Sequence, residues 1–126
     1  MLGRIDSRYR GRTISILLAG TLVTSAIHFL DNALHLDLYP GPAWFTPTGV
    51  LLAWLPLPLF AYLAYRRATR ASLIAYAFLG FAGLAHFLPM RSHSLAPRCV
   101  ATVAAEAIAS ALLIACVLPK QQDSTS

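Results

Sequence analysis

The chain is predicted to be all-α and polytopic, a bundle of four transmembrane helices with its N-terminus and C-terminus in the cytoplasm. Three observations predict this. The composition is 57% hydrophobic and 12% charged, where an ordinary globular domain carries about 25% charged residues. Four apolar segments recur, each long enough as a helix to approach the roughly 30 Å of a bilayer core. The arginines sit in short clusters beside those segments, as membrane topology signals do. Residues 1–126 therefore form one domain, with no soluble domain left over. The net charge of +5 belongs to these topology clusters, and no basic motif fold accompanies it, so nucleic acid is not an expected partner.

The first span is placed at residues 13–36. At about 100° per residue, His28, Asp31, Asn32 and His35 fall on one face, and Thr24 and Thr21 extend the stripe toward the N-terminus. The run is read as a retained span rather than a cleaved signal peptide, because it exceeds the usual signal length. Residues 37–48 hold Pro40, Gly41, Pro42 and Pro47 and read as a loop, with Tyr39, Trp44 and Phe45 as interface anchors. The second span, 49–65, carries Pro56 and Pro58 and should kink there. The third, 71–88, offers Gly80 and Gly83 for close packing and His86 as its strongly polar group. The fourth, 98–118, presents Cys99, Thr102, Glu106 and Ser110 on one face. Its Ala101, Ala104, Ala105 and Ala109 supply small surfaces for helix approach, or equally a homodimer face.

Orientation follows from the basic residues. Arg4, Arg8, Arg10 and Arg12 precede the first span, and Arg66, Arg67 and Arg70 join the second to the third, so both segments are expected in the cytoplasm, although Arg91 and Arg98 run against the rule. A bacterial inner membrane is the expected location. Counting about 1.5 Å per residue from the span ends puts the ionisable groups in the outer half, in two layers: His28 with Glu106, and Asp31 with His35 and His86.

Ionisable groups at membrane depth cost roughly 2.5 kcal/mol or more each and mark functional sites by default. His28, Glu106, Asp31 and Asn32 are the catalytic candidates, an acid–base set able to isomerise, hydrate or open a small lipophile, with Thr24, Thr102 and Trp54 as ligand-binding candidates. Asp31, His35 and His86 form a candidate metal set of two histidines and a carboxylate, suited to Zn, Cu or Fe. His28 and His35 lie about 10.5 Å apart along the axis, too far to share one ion. A b-type haem between His86 and either His28 or His35 is a further reading. A proton-coupled transporter subunit is a third class, although no polar path continues to the cytoplasmic side. Each group also has a plain structural role open to it. His28 and Glu106 can glue helices, Asp31 can pair with Arg91 or Arg98, and His35 and His86 can sit solvated at headgroup level. Cys99 and Cys116 lie about 25 Å apart on one helix and cannot bridge.

A His and an Asp in the first helix, Pro42-Ala43-Trp44-Phe45, and a mid-span Leu55-Pro56 resemble the EXPERA-type four-helix membrane proteins, the group of sterol isomerase and sigma-2 receptor relatives. The resemblance implies a pocket for a lipophilic ligand. The chain departs from that pattern where the family's second helix carries a buried carboxylate before the proline, since the residues here are Leu52, Ala53 and Trp54.

Overall fold

A computed structural model describes residues 11–38, 43, 45–87 and 97–118, with the side chains of 85–87 outside the description. Helix α1 is Arg12–Leu34, followed by a 3₁₀ turn at Leu36–Leu38. Then come α2 (Pro47–Trp54), α3 (Pro56–Arg67), α4 (Arg70–Leu79), a 3₁₀ stretch at Ala82–Phe87 and α5 (Pro97–Val117). Three helical segments are long and apolar enough to cross a membrane: Arg12–Leu34, Pro47–Arg67 and Pro97–Val117. The chain thus has the helices a membrane protein requires, and among the described residues it has no strand.

The organising contact is between α1 and α5. Besides Ala33, α1 buries Ile14, Leu18, Thr21, Ser25, His28 and Asn32, and α5 buries Cys99, Val103, Glu106, Ser110, Leu113 and Val117. Both series step by four and three, the spacing of a seam that interlocks at a shallow crossing angle. The helices run antiparallel. Ile14 and Leu18 share an apolar cluster with Leu113 and Val117, whereas at the other end His28 meets Thr102 and Asp31 meets Arg98. The seam is therefore apolar at one end and polar from Thr21 and Ser110 onward. Ala61, Ala64, Leu73 and Ala77 close the apolar end from α3 and α4.

Pro56 breaks the second apolar segment as expected. Proline lacks the N–H that would continue α2, so the chain passes through Leu55, whose own N–H reaches back three residues to Leu52 O at 3.2 Å, and restarts as α3. Thr46 caps α2, accepting from Gly49 N at 3.0 Å, so this helix begins two residues before the expected 49.

The α3–α4 turn is tight. Ala68 adopts a left-handed φ of 46° and donates to Ala64 O at 2.9 Å. Thr69 and Ser72 then form a reciprocal capping box, Ser72 N donating to Thr69 Oγ1 at 3.2 Å and Thr69 N to Ser72 Oγ at 3.3 Å. Thr69→Ala removes the cap that starts α4, and should cost about 1 kcal/mol in a reversible unfolding titration in micelles, with Thr69→Ser retaining most of it.

Two expectations need correction. The third apolar segment is not one α-helix over 71–88: α4 ends at Leu79, Gly80 and Phe81 turn, and the chain tightens to 3₁₀. Three of the four alanines named on α5 do not pack against helices of this chain, because Ala101, Ala104 and Ala105 are exposed, and Ala109 is half-buried. Close approach is made elsewhere. A Cβ on Gly80 would overlap the Ser110 hydroxyl, so α4 meets α5 where a glycine faces a serine.

Candidate functional site

Where the seam turns polar, the helices part around a cavity of about 380 Å³. Its wall is mainly hydrocarbon: Phe29 from α1, Phe45, Val50 and Ala53 from α2 and the residue preceding its cap, Pro56, Leu57 and Phe60 from α3, and Leu79 from α4. Three polar side chains reach it, His28, Asn32 and Glu106, and Gly83 contributes a stretch of bare backbone. The three are 2%, 5% and 4% exposed, so they face this space and not solvent. A concave apolar site with a few convergent polar groups is the usual form of a small-molecule pocket.

The polar groups are held by the helices that carry them. Asn32 lies one turn beyond His28, and its Nδ2 donates to His28 Nε2 at 3.3 Å. Nε2 is thereby an acceptor, so the proton sits on Nδ1, which donates to Thr102 Oγ1 at 3.0 Å. The Thr102 hydroxyl in turn donates to the carbonyls of Arg98 and Cys99, each at 3.1 Å. This chain of donors fixes the ring and one tautomer of His28 from α5. Glu106, one turn further along α5 than Thr102, projects toward Gly83, where a Cβ would lie 3.6 Å from its Oε2. Among the described residues no ion pair joins His28 to Glu106, although both line the cavity.

Asp31 and His35 lie off the cavity wall. Asp31 and His35 are brought together, Nδ1 of His35 lying 3.2 Å from Asp31 Oδ1 and 3.0 Å from Asp31 O, and Arg98 Nε approaches the same Oδ1 at 3.5 Å. This cluster sits at the polar end of the seam, beside the cavity, and of the two arginine partners expected for Asp31 it shows Arg98. Arg91 lies outside the described residues, as does the side chain of His86, and with it the third member of the Asp31–His35–His86 set and the shared partner of both haem pairs. Among the described residues no group of three or more His, Cys, Asp or Glu gathers as a metal would require.

Thr24, Thr102 and Trp54 stand behind the wall rather than on it. The Thr24 hydroxyl donates to Gly20 O and Thr21 O of its own helix, the usual way a helical threonine satisfies its proton. Trp54 Nε1 donates to Ser25 Oγ at 3.0 Å and ties α2 to α1, while Thr102 supports His28.

Sequence reasoning missed Ser25 and Tyr76. The Tyr76 hydroxyl lies 3.1 Å from Thr21 Oγ1, pinning α4 to α1 below the cavity. The missed signal was the four–three rhythm itself, which separates Thr21, Ser25, His28 and Asn32 from Thr24, Asp31 and His35, two stripes that the broader 100° arc merges. Compared with protein-family models, with curated proteins and with solved structures, the chain matches none.

Proposed function

We propose that this is a four-span membrane protein that binds a small lipophilic molecule in the cavity between α1, α2–α3 and α5, and that His28 and Glu106 move protons to and from it. One observation carries the reading: three buried polar side chains converge on an otherwise hydrocarbon space large enough for a ligand. His28 Nε2 is the unprotonated nitrogen of a ring that lines that space, and Glu106 lines it from another helix. Two groups able to exchange protons at separate points of one ligand suit an isomerisation, hydration or ring opening. The EXPERA-type resemblance implies the same class of pocket.

The fourth span is α4 with its 3₁₀ continuation. Ten α residues rise about 15 Å and six 3₁₀ residues about 12 Å, which together approach the hydrocarbon thickness. With four spans, the Arg66–Arg67–Arg70 turn and both termini share one side, the cytoplasmic one by the positive-inside rule.

The test is a thermal-shift screen of the detergent-solubilised protein against sterols, isoprenoids and long-chain alcohols. A binder should raise the midpoint of the parent, and lose at least tenfold in affinity in His28→Ala and in Glu106→Ala. Gly83→Leu, which inserts a side chain into the cavity, should abolish binding. Undiminished protection in all three variants would place the ligand elsewhere and end the proposal.

A further inference from the structure

A second concavity, of about 420 Å³, lies along the seam between α3 and α4. Leu63 and Ala64 line it from α3, Ala75 and Tyr76 from α4, and Arg67 stands at one end beside Ser72. Phe60 and Leu79 border both this groove and the cavity, and so partition them. The groove extends about 10 Å along α4, from Ser72 to Leu79. It is hydrocarbon except at the Arg67 end.

That end is electrostatically one-sided. Arg66, Arg67 and Arg70 gather within five residues, while the sequence holds no Asp or Glu between Asp37 and Glu106. Arg66 stacks over the Tyr62 ring at 5.9 Å, Arg67 is exposed, and the Nε of Arg70 is buried without a hydrogen-bond partner among the described residues. A buried guanidinium N–H wants an acceptor, and the α4 N-terminus adds its own positive dipole end. An apolar trough ending in arginines that no carboxylate pairs among the described residues is complementary to an acyl chain joined to an anionic headgroup, and basic pockets between membrane helices bind such lipids.

We infer that the α3–α4 groove is a binding site for an anionic phospholipid, with one acyl chain lying between Leu63 and Ala75 and the phosphate held by Arg67 and its neighbours Arg66 and Arg70. The inference is independent of the ligand proposed for the cavity.

The experiment titrates delipidated protein in non-ionic detergent with dioleoylphosphatidylglycerol or dioleoylphosphatidylcholine, reading the thermal midpoint and the lipid adducts by native mass spectrometry. The anionic lipid should raise the midpoint by several degrees and persist as a single adduct at concentrations where the choline lipid does neither. Glycerol phosphate, which has the headgroup charge and no chain, should not protect. Arg66→Gln/Arg67→Gln should weaken the anionic lipid at least tenfold, and Ala75→Trp should displace it from the trough with the arginines intact. Equal protection by both lipids, protection by glycerol phosphate alone, or an anionic preference that survives the double arginine variant would each overturn the site.

Discussion

Gly80→Val should fail to give stably folded protein, whereas Gly83→Ala, three residues away in the same apolar segment, should fold close to normally. The Gly80 position leaves little room for a Cβ and none for a branched side chain: the atom would overlap the Ser110 hydroxyl and, with that hydroxyl turned aside, still lie 3.0 Å from Ser110 Cβ. Ser110 is 1% exposed in the seam, and the neighbouring Ala77 is fully buried, so neither helix can yield without opening the apolar core. Overpacking of this kind costs about 1–3 kcal/mol for a methyl and more for a branched chain. At Gly83 the nearest atoms are Val103 Cγ2 at 3.4 Å and Glu106 Oε2 at 3.6 Å, ordinary contact distances beside a cavity. The comparison is read by monodispersity and thermal midpoint in one detergent. Gly80→Ala should lower the midpoint, and adding Ser110→Gly should recover much of the loss despite the cost of about 1 kcal/mol for a helical glycine. A Gly80→Val protein as stable as the parent would show that α4 and α5 do not cross here.

The same glycines show how far the sequence could be read. Hydropathy and length find the apolar segments because burial in lipid needs an unbroken run of nonpolar residues, and Pro56 announces its kink because the missing N–H acts locally. The end of α4 was not legible in the same way. Gly80 and Gly83 are compatible with a continuous helix, and the close approach of Gly80 to Ser110, thirty residues away in the chain, is written in no local pattern. The site divides along similar lines. His28 and Asn32, one turn apart, announce their shared stripe, and Glu106 stands out as the lone carboxyl of its helix. The cavity between them depends on how far apart the kinked α2–α3 segment holds its neighbours, a distance no local pattern encodes. The alanines of α5 mark close packing without saying which partner is near, and Ala101, Ala104 and Ala105 face outward, away from the other helices of the chain.

Glu106→Leu should leave the protein at least as stable as the parent while abolishing ligand protection. The carboxyl is 4% exposed, lies at bilayer depth in the proposed arrangement, and makes no ion pair among the described residues. A buried polar group without a compensating bond costs about 1–3 kcal/mol, which leucine would not incur. Leucine also matches the hydrocarbon already around the site, Leu57, Leu79 and Val50. If Glu106 served only to join helices, the substitution would lower stability instead, as loss of an interhelical bond does by about 0.6 kcal/mol on average. The sign of the change thus separates the two roles. His28 is the control with the opposite expectation, because its ring is bonded to both Asn32 and Thr102: His28→Leu should destabilise by leaving the Asn32 amide without that acceptor and Thr102 without that donor. Stability is measured by denaturant titration in mixed micelles, and ligand protection by the thermal shift described above. A residue whose removal strengthens the fold and silences the cavity is placed there by the demands of the ligand, and a loss of stability in Glu106→Leu as large as that in His28→Leu would overturn that assignment.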